Sequence, residues 1–181
     1  AGKDDQFDFA RSLIDQHPLI NQPDSFGDTP LHIAINVQKS PLLALTLLLN
    51  GADPNKSYEN GELLLRDAID LHRAAESYQV QQRRKTTATV RHTDGTIGLL
   101  RELLEKLRPE HIEAYGADNR TALTYAAVVG SSNLVRLILE YHPNCDVLDD
   151  HQRNIMHHLA MVPDELYSTA HRDTVLLVDE A

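Results

Sequence analysis

The stretch that decides the fold is residues 29–55, TPLHIAINVQKSPLLALTLLLNGADPN. Thr29 is a good helix N-cap, and Pro30 suits the first helical position because its missing N–H would be unsatisfied there anyway. Ser40 and Pro41 repeat this start signal before a leucine-rich second helix, which the following glycine can end. The stretch therefore predicts helix, turn, helix and stop. One such pair cannot bury its own apolar surface, so we expect further copies.

Three weaker copies of the first-helix motif occur downstream. Aligning Thr121 on Thr29 brings the apolar positions of both helices into register, with one extra residue between the helices of the first copy. Asn154 lies 33 residues after Thr121, and Leu63 lies 34 residues after Thr29. The distance from Leu63 to Thr121 is 58 residues, 25 more than 33, so the second copy carries an insertion.

With this spacing the chain resembles the ankyrin-repeat family, whose repeat is about 33 residues long. The segment from Thr29 to His32 and the Gly-Ala-Asp at residues 51–53 match the family motif almost letter for letter. The later copies keep the spacing but diverge from the motif. They depart from it at Leu63, Arg66, Asn119, Thr124 and Gln152.

The resemblance implies an all-α ankyrin-repeat solenoid that forms a single domain over residues 1–181. We expect an N-terminal capping helix at residues 4–16, with apolar side chains at helical spacing, followed by about four helix-turn-helix repeats. The repeats are expected near residues 24–57, 58–114, 115–147 and 149–181, with the insertion near residues 72–93.

Inside the second copy, the first helix is expected to continue to Gln82, because no glycine or proline stops it. Residues 79–93 are polar and favour a solvated loop, although a basic docking signal or phosphorylation at Thr86 or Thr87 stays open. The second helix is expected from Asp94 to Leu107. In the fourth copy, the second helix is either polar or delayed to residues 173–178.

Composition and charge limit the kinds of partner and the cellular locations that we expect. The chain has 181 residues, a formal net charge of −10 and one cysteine, Cys145. The negative charge argues against nucleic acid or an anionic membrane as a partner. The sequence has no apolar run long enough to cross a membrane and no signal peptide, so we expect an intracellular monomer, in the cytoplasm or nucleus. Basic or mixed protein surfaces are the better partners.

The residues that could carry chemistry do not form a recognisable catalytic, cofactor or metal motif, so we predict none of these sites. The resemblance gives His32 and His157 a structural role, in hydrogen bonds between a turn and the neighbouring repeat. His142, Cys145 and two further histidines offer zinc-type ligands, but their spacing is not that of a closed site. The acidic pair at residues 149–150 favours a solvated loop.

The resemblance also implies where a partner would bind. In ankyrin repeats the first helices line a concave face, and the turns between repeats project beside it. Side chains of the aromatic and arginine types often anchor protein interfaces. The predicted partner-binding residues on this face and these turns are Phe26, Asp28, Ile33, Tyr58, Glu59, Asp118, Arg120, Tyr125, Val128, His151, Arg153 and His158.

The sequence therefore predicts a non-catalytic protein–protein interaction module. Two alternatives stay open at this stage. The chain could be the targeting or substrate-recruitment segment of a larger enzyme or delivered effector. It could also regulate transcription by masking a basic factor, which would suit its negative charge.

Overall fold

A computed structural model of the chain describes residues 19–56, 61–82, 90–116 and 119–161. This part of the chain contains eight α-helices and no β-strand. In chain order they are α1 (Pro30–His32), α2 (Pro41–Leu49), α3 (Gly61–Gln82), α4 (Val90–Lys106), α5 (Pro109–Ile112), α6 (Ala122–Val129), α7 (Ser132–Leu139) and α8 (Ile155–Ala160). The expected capping helix, residues 83–89 with both threonines, and the second half of the fourth copy lie outside the described residues.

The helices group into two compact units that divide after Leu107. The first unit contains α1 to α4, which are the helix pairs of the first and second copies. The second unit contains α5 to α8, which include the third copy and the first helix of the fourth. None of the described helices is both long and apolar enough to cross a membrane.

In the first unit, α1 continues into a π-helical turn, Ile33–Val37, in which Gln38 donates to the carbonyl of Ile33 at 2.9 Å. This turn takes up the extra residue of the first copy. The N–H of Ser40 donates to the carbonyl of Ala34, six residues earlier, at 3.0 Å. In the third copy the equivalent bond joins residues 131 and 126, which are only five apart.

The core of the first unit is made by the inward side of each helix. Leu31, Ala34 and Ile35 are buried on the first helix, and Ala44 and Leu48 are buried on α2. The longer helices add the buried side chains Leu64, Leu65, Ile69, Leu99, Leu100, Leu103 and Leu104. Burying each leucine or isoleucine stabilises the fold by about 1.5–3 kcal/mol, so this shared interior is what the repeated apolar pattern encodes.

The second copy is longer than the first on both sides of its insertion. Helix α3 ends at Gln82, as the missing stop signal predicts, and α4 begins at Val90 rather than Asp94. The predicted loop over residues 79–93 is therefore too long, because residues 79–82 and 90–93 are helical. Adding a turn to an established helix is easier than starting one. Between the helices, Nδ1 of the buried His72 lies 2.7 Å from Oγ1 of the buried Thr96.

Side chains at the ends of the copies tie successive loops together. The side chain of Asn21 accepts from the N–H of Asp53 at 2.7 Å and donates to the carbonyl of Gly51 at 3.1 Å. Asn55 occupies the same place one copy later and donates to the carbonyl of Lys106 at 2.8 Å. These bonds satisfy backbone groups that the helix ends would otherwise leave exposed.

In the second unit, α6 packs against both α7 and α8. Thr121 caps α6 by accepting from the N–H of Thr124, and Gly130 ends the helix in the left-handed conformation with φ 78°. Asn154 and His157 form a reciprocal capping box at the start of α8. His157 thus has a structural role within its own repeat, and it is exposed.

Candidate protein-binding surface

Three turn loops between copies share one hydrogen-bond pattern. In the first, the N–H of Asp24 donates to the carbonyl of Asp28 at 2.9 Å, and the N–H of Gly27 donates to the carbonyl of Asp24 at 3.1 Å. The loop at residues 116–120 and the loop at residues 149–153 repeat both bonds at 2.8–3.0 Å. The divergent copies therefore build the same turn as the copy with the best motif.

The second of these bonds is donated by a residue in the left-handed conformation, at one fixed place in each loop. Gly27 fills it with φ 89°, whereas Asn119 and Gln152 fill it with φ 55° and 58°. Residues other than glycine pay a steric cost in this region. The two departures from the glycine motif therefore preserve the turn, at some cost in stability.

Two of the loops are further fixed by an aspartate side chain. Oδ1 of Asp24 accepts from the N–H groups of Phe26 at 2.8 Å and Asp28 at 3.0 Å. Oδ1 of Asp149 accepts from His151 at 2.8 Å and Arg153 at 3.0 Å. The middle loop has Gly116 at this position, so it lacks the side-chain bonds.

The first loop displays an aromatic side chain to solvent. Phe26 is 80% exposed, the most exposed of the large apolar side chains described. Its own N–H and that of Asp28 both donate to the carboxylate of Asp24. A partner would therefore meet an aromatic ring on an ordered turn, which limits the entropy lost on binding.

The first-helix face of the first unit is polar and acidic beside Ile33, which is half-buried. Burial raises the pKa of Asp67, while the hydrogen bond from Asn36 and the charge of Lys39 oppose the rise. The nearby carboxylate of Asp70 adds to it. Asp67 and Asp70 occupy equivalent positions to the outward residues of the first copy, so both copies contribute to one surface.

His32 lies under this surface, and its hydrogen bond stays within its own turn rather than reaching the neighbouring repeat as the resemblance implies. It is buried, and its Nδ1 lies 2.9 Å from Oγ1 of Thr29. Burial lowers the pKa of His32, and the carboxylates of Asp28 and Asp67 oppose that change. The imidazole is thus held inside its own turn, close to two acids of the outward surface.

In the second unit, a buried carboxylate organises the last turn loop. Asp149 is 3% exposed, and its Oδ2 accepts a hydrogen bond from Nε of Arg153 at 3.0 Å and forms an ion pair with Nη2 at 2.9 Å. Nε of Arg120 lies 4.0 Å from the same oxygen. Burial raises the pKa of Asp149. The backbone and side-chain hydrogen bonds from Arg153 and the N–H of His151 lower the pKa by more than burial raises it, so the net shift is downward.

One prediction about this loop is wrong in part and another is wrong. Asp150 is exposed, but Asp149 is buried, and its carboxylate accepts from two backbone N–H groups and from Arg153. His158 is not an outward residue, because it is 3% exposed under the same carboxylate. Its Nε2 lies 3.1 Å from Oδ2 of Asp149 but out of line for a hydrogen bond, so the contact is electrostatic.

Burial and three charged neighbours shift the pKa of His158. Burial lowers its pKa, Asp149 opposes the shift, and the charges of Arg120 and Arg153 add to it. The neutral imidazole is therefore favoured inside the folded unit.

The first-helix face of the second unit is more apolar than that of the first. Tyr125 is half-buried on α6. Val128 is 41% exposed at the end of α6, and Met161, its equivalent one copy later, is 62% exposed after α8. Since α6 packs against α8, these side chains continue one surface across two copies.

The remaining predicted site residues divide between the two units. Asp28, Ile33, Tyr125, Arg120 and Arg153 are half-buried, while Val128 and His151 are exposed with Phe26. Tyr58, Glu59 and Asp118 lie outside the described residues. Sequence reasoning missed Asp149 as the organiser, although its match to Asp24 in the repeat alignment was a usable signal.

Two observations concern metal binding and thiol chemistry in the described part of the chain. Among the described residues, no group of three or more histidine, cysteine, aspartate or glutamate side chains could hold a metal ion. Burial raises the pKa of the Cys145 thiol, and Asp146 and Glu113 raise it further. The thiol is therefore a poor nucleophile at neutral pH.

Comparison with known proteins places these turns and helix pairs in context. Residues 26–58 match the family model of the ankyrin repeat. The chain also has a structural match to the crystal structure of EF0377, an ankyrin-repeat protein, with 19% sequence identity and a TM-score of 0.45. That match covers 94% of this chain and 89% of the other. No match was found among curated protein sequences.

The family model covers the first helix pair, and the later copies reproduce the two backbone hydrogen bonds of the first turn loop. Ankyrin repeats are in general protein-interaction modules and are typically non-catalytic. The chain therefore contains an ankyrin repeat over residues 26–58.

Proposed function

We propose that this chain is a non-catalytic module that holds a partner protein on its first-helix faces and turn loops. The observation that carries the proposal is the apolar surface of the second unit, where Val128 and Met161 are exposed at equivalent positions of neighbouring copies. Isolated exposed apolar residues are common, but a row of them on packed helices indicates a contact surface. Tyr125 continues this row.

The turn loops support the same surface. Aromatic and arginine side chains dominate the binding energy of many interfaces, and Arg120 and Arg153 lie around one buried carboxylate in the second unit. Phe26 gives the first unit a comparable anchor. The side chains stand on hydrogen-bonded turns, so binding would order few additional groups. The free thiol of Cys145 is typical of a reducing compartment, which supports an intracellular location.

Replacing Tyr125 and Ile33 by glutamate tests this proposal. The immobilised full chain is used to capture proteins from an extract of the source cells, and the captured protein is identified by mass spectrometry and purified. We expect Tyr125→Glu or Ile33→Glu to weaken its binding at least about tenfold, which corresponds to about 1.4 kcal/mol.

Two matched controls separate the surface from general damage. Leu42→Glu and Asn133→Glu place the same charge on exposed positions of the second helices α2 and α7, and both should leave affinity unchanged. Circular dichroism checks that each variant stays folded, and Tyr125→Ala provides a milder change. Undiminished binding to a folded Tyr125→Glu, Ile33→Glu double variant would contradict the proposed surface.

A further inference from the structure

Arg153 is anchored through two of its three nitrogen groups. Its Nε donates to Oδ2 of Asp149 at 3.0 Å, and its Nη2 forms an ion pair with the same oxygen at 2.9 Å. Nη2 is also hydrogen-bonded to Nδ1 of His151 at 3.1 Å. An arginine can only donate, so His151 accepts through Nδ1 in this contact. The guanidinium plane is thus fixed before any partner arrives.

The third nitrogen group faces the exposed side of the loop. Nη1 of Arg153 lies 3.6 Å from the sulfur of Met161, which is a weak hydrogen-bond acceptor. The arginine side chain is 23% exposed and Met161 is 62% exposed. Nη1 therefore offers a strong donor beside a flexible, polarisable apolar group.

Charge complementarity indicates what this pair would bind. A guanidinium binds carboxylates through charge-assisted hydrogen bonds that are roughly twice as strong as neutral ones. Asp149 already occupies the Nε and Nη2 side of Arg153, and its own carboxylate also faces Arg120. A second carboxylate approaching Nη1 would meet a cation that needs no reorientation.

We propose that Arg153 and Met161 together bind a partner segment in which a carboxylate side chain lies beside an apolar one. This inference rests on the proposed function, because it assigns the partner's chemistry to the same surface. Nη1 donates to the ionised carboxylate, and the methionine packs against the adjacent apolar side chain. Asp149 is the positioning residue, since it holds the guanidinium without facing the partner.

A randomised peptide library displayed on phage and selected on the full chain provides the probe. We expect the selected sequences to be enriched in aspartate or glutamate next to an apolar residue. The tightest such peptide is synthesised with its acid and with the isosteric amide. Replacing the acid by the amide should weaken binding to the natural chain about tenfold and binding to Arg153→Gln by less than about twofold.

Several variants keep the test decisive. Arg108→Gln removes an exposed arginine of the same unit and should leave the acid-to-amide ratio unchanged. Met161→Ala leaves the Arg153 network intact and should weaken both peptides alike, which keeps the test open if Arg153→Gln unfolds. Asp150→Asn removes an exposed acid beside the loop and should strengthen binding of the acidic peptide.

The results separate this inference from the proposed function. A selection without acidic sequences, or an acid-to-amide loss that persists in folded Arg153→Gln, overturns the carboxylate contact. If Tyr125→Glu abolishes peptide binding while the Arg153 variants do not change it, the surface stands and only the assigned chemistry fails. If the acidic peptide binds both Tyr125→Glu and Arg153→Gln as tightly as it binds the natural chain, both proposals fail.

Discussion

Replacing Gln152 by glycine should stabilise the chain, because the turn loop holds this residue at φ 58°. A non-glycine residue in the left-handed region costs about 1–2 kcal/mol. Glycine removes that cost but adds about 0.5–1 kcal/mol of backbone entropy to the unfolded chain. The expected net gain is therefore about 0.5–1 kcal/mol, since the bond from residue 152 to the carbonyl of Asp149 uses only backbone atoms.

Urea unfolding followed by circular dichroism measures this gain. In a separate thermal melt, the melting temperature should rise by about 1–4 °C for a chain of this size. Gln152→Ala is the matched control, because it removes the same side chain but keeps the Cβ that causes the strain. Gly27→Ala makes the opposite change in the first unit at φ 89° and should destabilise it.

The comparison between the glycine and alanine variants decides the matter. If Gln152→Gly is no more stable than Gln152→Ala, the left-handed geometry is not the source of the cost. The claim that the divergent copies preserve a strained turn would then be wrong.

Three further predictions concern the core, the buried histidine and the π-helical turn. Leu48→Ala should lower the free energy of unfolding by about 2–5 kcal/mol, whereas Leu42→Ala on the exposed side of the same helix should change it by less than about 0.5 kcal/mol in the same urea assay. Because burial lowers the pKa of His158, the folded unit favours the neutral imidazole. The free energy of unfolding should therefore fall as the pH drops below 6.5, with a shallower fall for His158→Gln across a pH series. Deleting Val37 should restore a regular helix and change the free energy of unfolding by no more than about 1 kcal/mol. Deleting Thr46 should instead unfold the first unit, because it rotates the buried leucines that follow. Thermal melts of the two variants distinguish these outcomes.

The parts of the fold that depend on local signals could be predicted from the sequence. The start signals at Thr29 and Ser40 and the end signal at Gly51 each act within a few residues. The structure starts a helix after Thr29 and after Ser40, and ends the second of these helices just before Gly51. The length of α3 followed equally from the lack of a glycine or proline before Gln82.

The organisation of the second unit's loop could not be predicted in the same way. The burial of Asp149 depends on the simultaneous approach of Arg153 and His158, which a single turn motif does not specify. The sequence pattern placed His158 outward because it counted residues along a regular helix. In the structure the imidazole is buried, with its Nε2 3.1 Å from Oδ2 of Asp149.

The π-helical turn shows the same limit. The alignment indicated an extra residue between the first two helices, but not whether a longer loop or a wider helical turn would hold it. Both choices satisfy the local sequence, and the bond from Ser40 to Ala34 selects the second. That bond depends on how α2 packs against the first helix, which is a property of the folded unit.

We propose that this chain binds a partner protein on its first-helix faces and turn loops. A titration of amide chemical shifts of the full chain with the captured partner tests it most directly. The account predicts that the largest shifts in the second unit occur at residues 119–128 and 149–161, with small shifts along α7. Shifts concentrated on α7 and on the exposed side of α2, with the turn loops unchanged, would contradict it.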